Sequence, residues 1–132
     1  MKFASTRLIA ADIQAMVAFY EMVTGQRADW LAPQFAEIIT PAATLAIGSA
    51  ETVAVFSPGS AEPGANRTAI LEFMVEDVDA VFDRLKDKVD LVHAPKLLPW
   101  GNRSVQFRDP EGTIVSLFTP FTTAAKERFG SR

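Results

Sequence analysis

The sequence contains no cysteine. Disulfide staples, thiolate nucleophiles and cysteine-ligated zinc or iron–sulfur centres are therefore excluded. Histidine occurs once, at His93, so an H-E-x-x-H metalloprotease helix cannot be built. Neither a G-x-S-x-G nucleophile elbow nor a phosphate-binding glycine loop is present, which removes the hydrolase and nucleoside-triphosphatase readings. No apolar run approaches the ~20 residues of a membrane span, and the opening residues lack the apolar stretch of a secretory signal. A cytoplasmic chain without a membrane partner is expected, and the Asn66-Arg67-Thr68 triplet reads as a plain loop. Positive charge is in deficit. Thirteen Lys and Arg against sixteen Asp and Glu give a net charge of −3, a poor match to a phosphate backbone, so no nucleic-acid partner is expected.

What is present is an ordinary globular composition, 48% hydrophobic and 22% charged over 132 residues, enough for one domain with a core that needs no staples. The chain also repeats itself. ADIQAMVAFY at 11–20 matches EDVDAVFDRL at 76–85, and VAVFSP at 53–58 matches VSLFTP at 115–120, with offsets of 65 and 62 residues. A unit of roughly 60 residues occurring twice is the reading. These matches divide the single domain 1–132 into a first module at 1–58, a Pro/Gly/Ser-rich linker at 59–68, a second module at 69–120 and a tail at 121–132.

Each copy has one layout. A short strand (5–10; 69–75) leads to Asp12 or Asp77, placed as a helix N-cap because a short carboxylate can accept the free N–H groups of the first turn. Ile13, Met16, Val17 and Tyr20 make an i, i+3, i+4, i+7 stripe, with Gly25 at the helix end; Val78, Val81, Phe82, Leu85 and Val89 repeat that face. The apolar period then falls towards two around 27–32, 35–40, 44–47 and 51–56, and again around 91–97, 102–108 and 113–118, which predicts strands. The tail is a candidate short helix. Asp109-Pro110-Glu111-Gly112 suits a type I turn between the last two strands, with Arg108 bracing it.

This duplicated βαβββ layout, together with LPWGNRSVQFRDPEGTIVSLFTP, resembles the vicinal oxygen chelate superfamily of glyoxalases, extradiol dioxygenases and bleomycin-resistance proteins. The resemblance implies an α+β fold of two βαβββ modules, with curved mixed sheets enclosing a cavity, usually in a homodimer. It also implies a divalent cation held by His, Glu or Gln at four positions on the opening and final strands. Here those positions carry Ser5, Ile70, Ser116 and, by the VAVFSP match, Ala54. A rival alignment of TPAAT (40–44) with DPEGT (109–113) gives Ile47 instead. Aliphatic side chains have no lone pair to donate. His93 lies on a different segment, and Glu37, Glu51 and Glu72 are scattered. No metal, no other cofactor and no catalytic residue are assigned.

Strand alternation turns Leu8, Ala10, Leu71, Phe73 and Val75 towards the helices. It turns Ser5, Arg7, Ile9, Ile70, Glu72 and Met74 towards the cavity, joined by Thr52, Ala54, Phe56, Ile114, Ser116 and Phe118. An apolar pocket with a few fixed polar groups suits a small organic ligand. Arg7 and Glu72 stand at equivalent places, either as a buried ion pair or as groups orienting a ligand, and Glu72 is the candidate general base of an alternative lyase, isomerase or dioxygenase. Trp30, Phe35 and Trp100 fall where the family borders its cavity, and such rings stack on planar ligands. The expected ligand-binding set is Arg7, Trp30, Phe35, Phe56, Glu72, Trp100, Ser116 and Phe118.

Overall fold

The computed structural model describes residues 1–130; the last two residues of the tail lie outside the described residues. The chain forms two compact units. Met1–Arg67 with Pro110–Gly112 make the first, and Thr68–Asp109 with the residues from Thr113 onward make the second.

In the first unit the order is β1 (Ser5–Ala10), α1 (Ile13–Thr24), β2 (Asp29–Ala32), β3 (Phe35–Ile39), β4 (Thr44–Ser49) and α2 (Ala50–Phe56). The sheet order is β1-β4-β3-β2, with β1 parallel to β4 and the other pairs antiparallel. Helix α1 begins where the sequence says, since Asp12 accepts the Ala15 N–H at 3.1 Å. It stops at Gly25, whose φ of 70° lies in the left-handed region that glycine enters without a Cβ penalty. Met16, Val17, Tyr20 and Val23 are buried on α1, and Ala36, Ile38, Leu45 and Ile47 are buried in the sheet. Complete burial of a Val, Leu, Ile or Met side chain contributes about 1.5–3 kcal/mol.

The second unit repeats the order: β5 (Ile70–Met74), α3 (Val78–Leu85), β6 (Asp90–Leu97), β7 (Asn102–Arg108), β8 (Ile114–Pro120) and α4 (Thr123–Gly130). Its sheet runs β5-β8-β7-β6, again with one parallel pair, β5 with β8. Asp77 caps α3, accepting the Asp79 and Ala80 N–H groups at 3.1 and 3.2 Å. The helix ends four residues before Val89, so that valine is not part of the helical stripe. Val78 donates its N–H to Thr119 Oγ1, which donates to the Val75 carbonyl. Arg103 grips Asp79 with two 2.8 Å bonds. These contacts place α3 on the sheet face that carries Arg103, Val105, Phe107, Val115, Leu117 and Thr119.

Two differences from the sequence reading concern the module ends. Residues 51–56 are helical rather than a strand. A short apolar run cannot by itself separate helix from strand, and here Ala50, Ala54 and an acidic Glu51 in the first turn favour the helix. The VAVFSP and VSLFTP segments are therefore not equivalent, and β4, not 51–56, corresponds to β8. Each unit is βαβββα. The Asp109–Gly112 turn is closed by Asp109, whose Oδ1 accepts the Thr113 N–H at 3.0 Å while its own N–H donates to the Thr113 carbonyl. Glu111, which packs with the first unit, accepts the Ala11 N–H at 2.9 Å. Among the described residues, no helix is long and apolar enough to cross a membrane.

Candidate functional site

Each sheet has a second face, away from the helix α1 or α3, and register decides which side chains share it. In the second unit Glu72 pairs with Ser116, Ser116 with Gln106, and Gln106 with His93, a polar row across all four strands. The next row is Met74, Phe118 and Ser104. Ser104 and Ser116 are each 1% exposed and join through a 2.9 Å hydroxyl–hydroxyl bond. Asn102 has the same parity and is 4% exposed, and its Oδ1 has no hydrogen-bond donor. Leaving such an acceptor buried and unpaired costs about 1–3 kcal/mol.

Helix α4 packs on this face. Its Phe129 ring lies 5.0 Å from that of Phe118, centroid to centroid, and Ala125 is fully buried. The helix is seated by Gly101, whose carbonyl accepts the N–H groups of Phe121 and Thr122. Gly101 has φ 97°, and a Cβ there would collide with Thr122 Oγ1 and sit 3.0 Å from the Ala125 Cβ. Arg128 reaches the Trp100 carbonyl at 3.3 and 3.4 Å.

In the first unit the equivalent face carries the row Arg7, Ala46, Glu37 and Asp29, and the row Ile9, Gly48, Phe35 and Ala32. Helix α2 folds over it much as α4 does over its own sheet. A Cβ on Gly48 would lie 3.1 Å from Thr52 Oγ1 and 3.7 Å from Phe35 and Ile9.

The expected residues distribute unevenly. Phe35 and Arg7 share the first sheet's second face; Glu72, Ser116 and Phe118 share that of the second sheet. Arg7 and Glu72 are both exposed, so neither belongs to a buried ion pair. Trp30 pairs with Ala36 and so has the parity of Ile47 and Leu8, the face opposite Arg7 and Phe35. The sequence pattern did not reveal this because the strand is four residues long and its register shifts immediately after Trp30. Phe56 ends α2, not a strand, and is 83% exposed. Thr52 and Ala54 likewise sit on α2, so strand parity does not govern them. Trp100 lies in the β6–β7 turn and is 56% exposed. Sequence reasoning missed Asn102, Ser104 and Gln106. The alternation in NRSVQFR, polar at every second residue, carried that signal.

The four metal positions implied by the fold do not fit a cation. Register makes Ala46, not Ala54 or Ile47, the counterpart of Ser116, because Ala46 pairs with Arg7 as Ser116 pairs with Glu72. Ile47 is buried on the other face. Ser5, Ile70, Ala46 and Ser116 supply two hydroxyls, one of them committed to Ser104, and no imidazole or carboxylate. Nor do the described residues hold any cluster of three or more His, Cys, Asp or Glu. His93 Nδ1 is engaged locally, 2.8 Å from the Ala94 carbonyl. The Asp79–Arg103 pair lies on the α3 side, where the hydrogen bonds from Arg103 hold the Asp79 carboxyl below the usual carboxylate range and raise the guanidinium in turn.

The chain belongs to the Glyoxalase/Bleomycin resistance protein/Dioxygenase superfamily, whose profile matches residues 2–117. It is 30% identical over 125 residues to the uncharacterized protein YraH of Bacillus subtilis, covering 89% of this chain and 98% of that one. Among solved structures it is similar to a glyoxalase/bleomycin resistance protein/dioxygenase from Nocardioides, with a TM-score of 0.77 at 23% identity over 93% of this chain and 85% of the other. A family enzyme from Burkholderia phytofirmans PsJN gives 0.78 at 19% identity, over 92% and 100%. At these identities the structures speak to the fold alone, which hosts more than one chemistry.

Proposed function

We propose that this protein binds a small, mostly apolar or aromatic molecule without a metal, in the manner of the bleomycin-resistance proteins, and so sequesters an antibiotic or a similar toxic compound. It works as a cytoplasmic homodimer. The observation that carries the reading is the second face of the second sheet. Phe118, Met74 and Ile70 supply apolar area there, while Asn102, Ser104, Ser116 and Gln106 supply fixed hydrogen-bonding groups, the composition of a small-molecule site. The same strands carry Ile70 and Ser116 where a cation would need donors, which argues against Lewis-acid chemistry at those positions. Arg7, Phe35 and Glu72 are the further ligand-contact candidates of the two sheets, and Trp100 borders α4. Glu72 is exposed rather than desolvated, so the general-base alternative gains no support from burial of that carboxylate.

Native mass spectrometry of untagged protein purified without chelators tests this. The expected result is a dimer without stoichiometric divalent metal that carries or takes up a small organic adduct. A stoichiometric divalent ion would overturn the metal-independent reading and direct work to lyase and dioxygenase assays.

A further inference from the structure

We propose that α4 is a displaceable cover, and that the surface it releases receives a planar aromatic compound bearing an N–H donor. The inference rests on the binding reading above and specifies its site. Phe129 lies against Phe118 as a ligand ring would, in a tilted aromatic contact at 5.0 Å. The chain thus occupies its own aromatic subsite. Strand parity puts Asn102 on the same face, and its Oδ1 is buried without a donor, an acceptor already desolvated. An N–H group placed there would satisfy it, whereas an ether or N-methyl analogue would not.

The helix is held lightly enough to move. Of its eight residues only Ala125 is buried, and Thr123, Ala124, Lys126 and Glu127 are exposed. Its side-chain tethers include the Phe129 ring on Phe118 and the long Arg128 contacts to the Trp100 carbonyl. Segments with few buried contacts open at the low end of a protein's stability range. A ligand competing with Phe129 binds with an apparent affinity reduced by the fraction of molecules that are open.

Indole and 1-methylindole, the same ring with and without the N–H, are the probes, titrated calorimetrically into the full chain. Phe129→Ala is expected to tighten indole binding about tenfold, the ratio that loss of one aromatic pair sets. Indole is expected to bind better than 1-methylindole, and Asn102→Leu to abolish that preference. In the unmutated protein, added indole should lower the hydrogen-exchange protection of the Thr123–Gly130 amides, a readout that needs no variant to fold. If the unmutated protein binds indole as tightly as Phe129→Ala and its α4 protection is unchanged, the cover is refuted while the binding face stands. A preference that survives Asn102→Leu refutes the role of Asn102. Absence of binding of either probe to the unmutated chain and to Phe129→Ala overturns both the inference and this face as the ligand site.

Discussion

Gly101 offers the sharpest test of how the second unit is closed. Substitution by alanine carries two penalties. The first is backbone: at φ 97° a side chain sits in a conformation that L-residues avoid, at about 1–2 kcal/mol. The second is steric, because the new methyl collides with Thr122 Oγ1 and meets the Ala125 Cβ at 3.0 Å, and forced overpacking costs about 1–3 kcal/mol. Gly25 is the internal control. Its φ is 70°, yet a Cβ there meets nothing within 4 Å, so Gly25→Ala pays the backbone part alone. Gly101→Ala is therefore expected to lose about 2–5 kcal/mol and Gly25→Ala about 1–2 kcal/mol. The variant can escape the steric penalty by releasing α4, which caps that part of the loss at the docking free energy of the helix and leaves the backbone part in place. Urea unfolding followed by tryptophan fluorescence measures the total, with Trp100 adjacent to the substitution. Hydrogen exchange of the Thr123–Gly130 amides reports release. Equal losses for both variants within about 0.5 kcal/mol, with α4 still protected, would refute the claim that Gly101 is glycine because α4 is seated on it.

Two further perturbations probe the same unit. Ser116→Ala strands the Ser104 hydroxyl in a buried site and is expected to cost about 1–3 kcal/mol, whereas the double change to alanine should cost clearly less than the sum of the two singles; a double-mutant cycle by urea unfolding that shows simple additivity would contradict the 2.9 Å pair. For Asp79, whose carboxyl titrates below the usual range because Arg103 bonds to it, the contribution to stability is present above the unfolded value of about 3.9 and is lost as pH falls through the depressed folded value. Carboxyl-carbon NMR titration should show the Asp79 midpoint rise in Arg103→Gln and move towards the ordinary value with added salt; an unchanged midpoint would remove the pair.

What could be read from the sequence was whatever depends on neighbours along the chain. Asp12 and Asp77 are caps because a carboxylate three residues from a free N–H suffices, and Gly25 ends α1 for a reason confined to its own backbone. The duplication, the α1 stripe and the inward or outward parity of β1, β5 and β8 follow from periods of 3.6 and 2. The family was legible for the same reason, since its marks are a repeat and a tight turn.

Tertiary structure decided what depends on partners far away in the chain. Whether 51–56 pairs as a strand or coils as α2 was undetermined by six residues, ETVAVF, that suit either period, and the alternative moved Phe56 from a sheet to solvent. Register, which a one-residue shift reverses, made Ala46 the counterpart of Ser116 and put Trp30 on the face opposite Phe35. The pairing of Ser104 with Ser116, the unpartnered Asn102 oxygen and the stacking of Phe129 on Phe118 join residues that local spacing cannot relate. They arise only when β7, β8 and α4 are brought together, and they are the features on which the binding proposal stands.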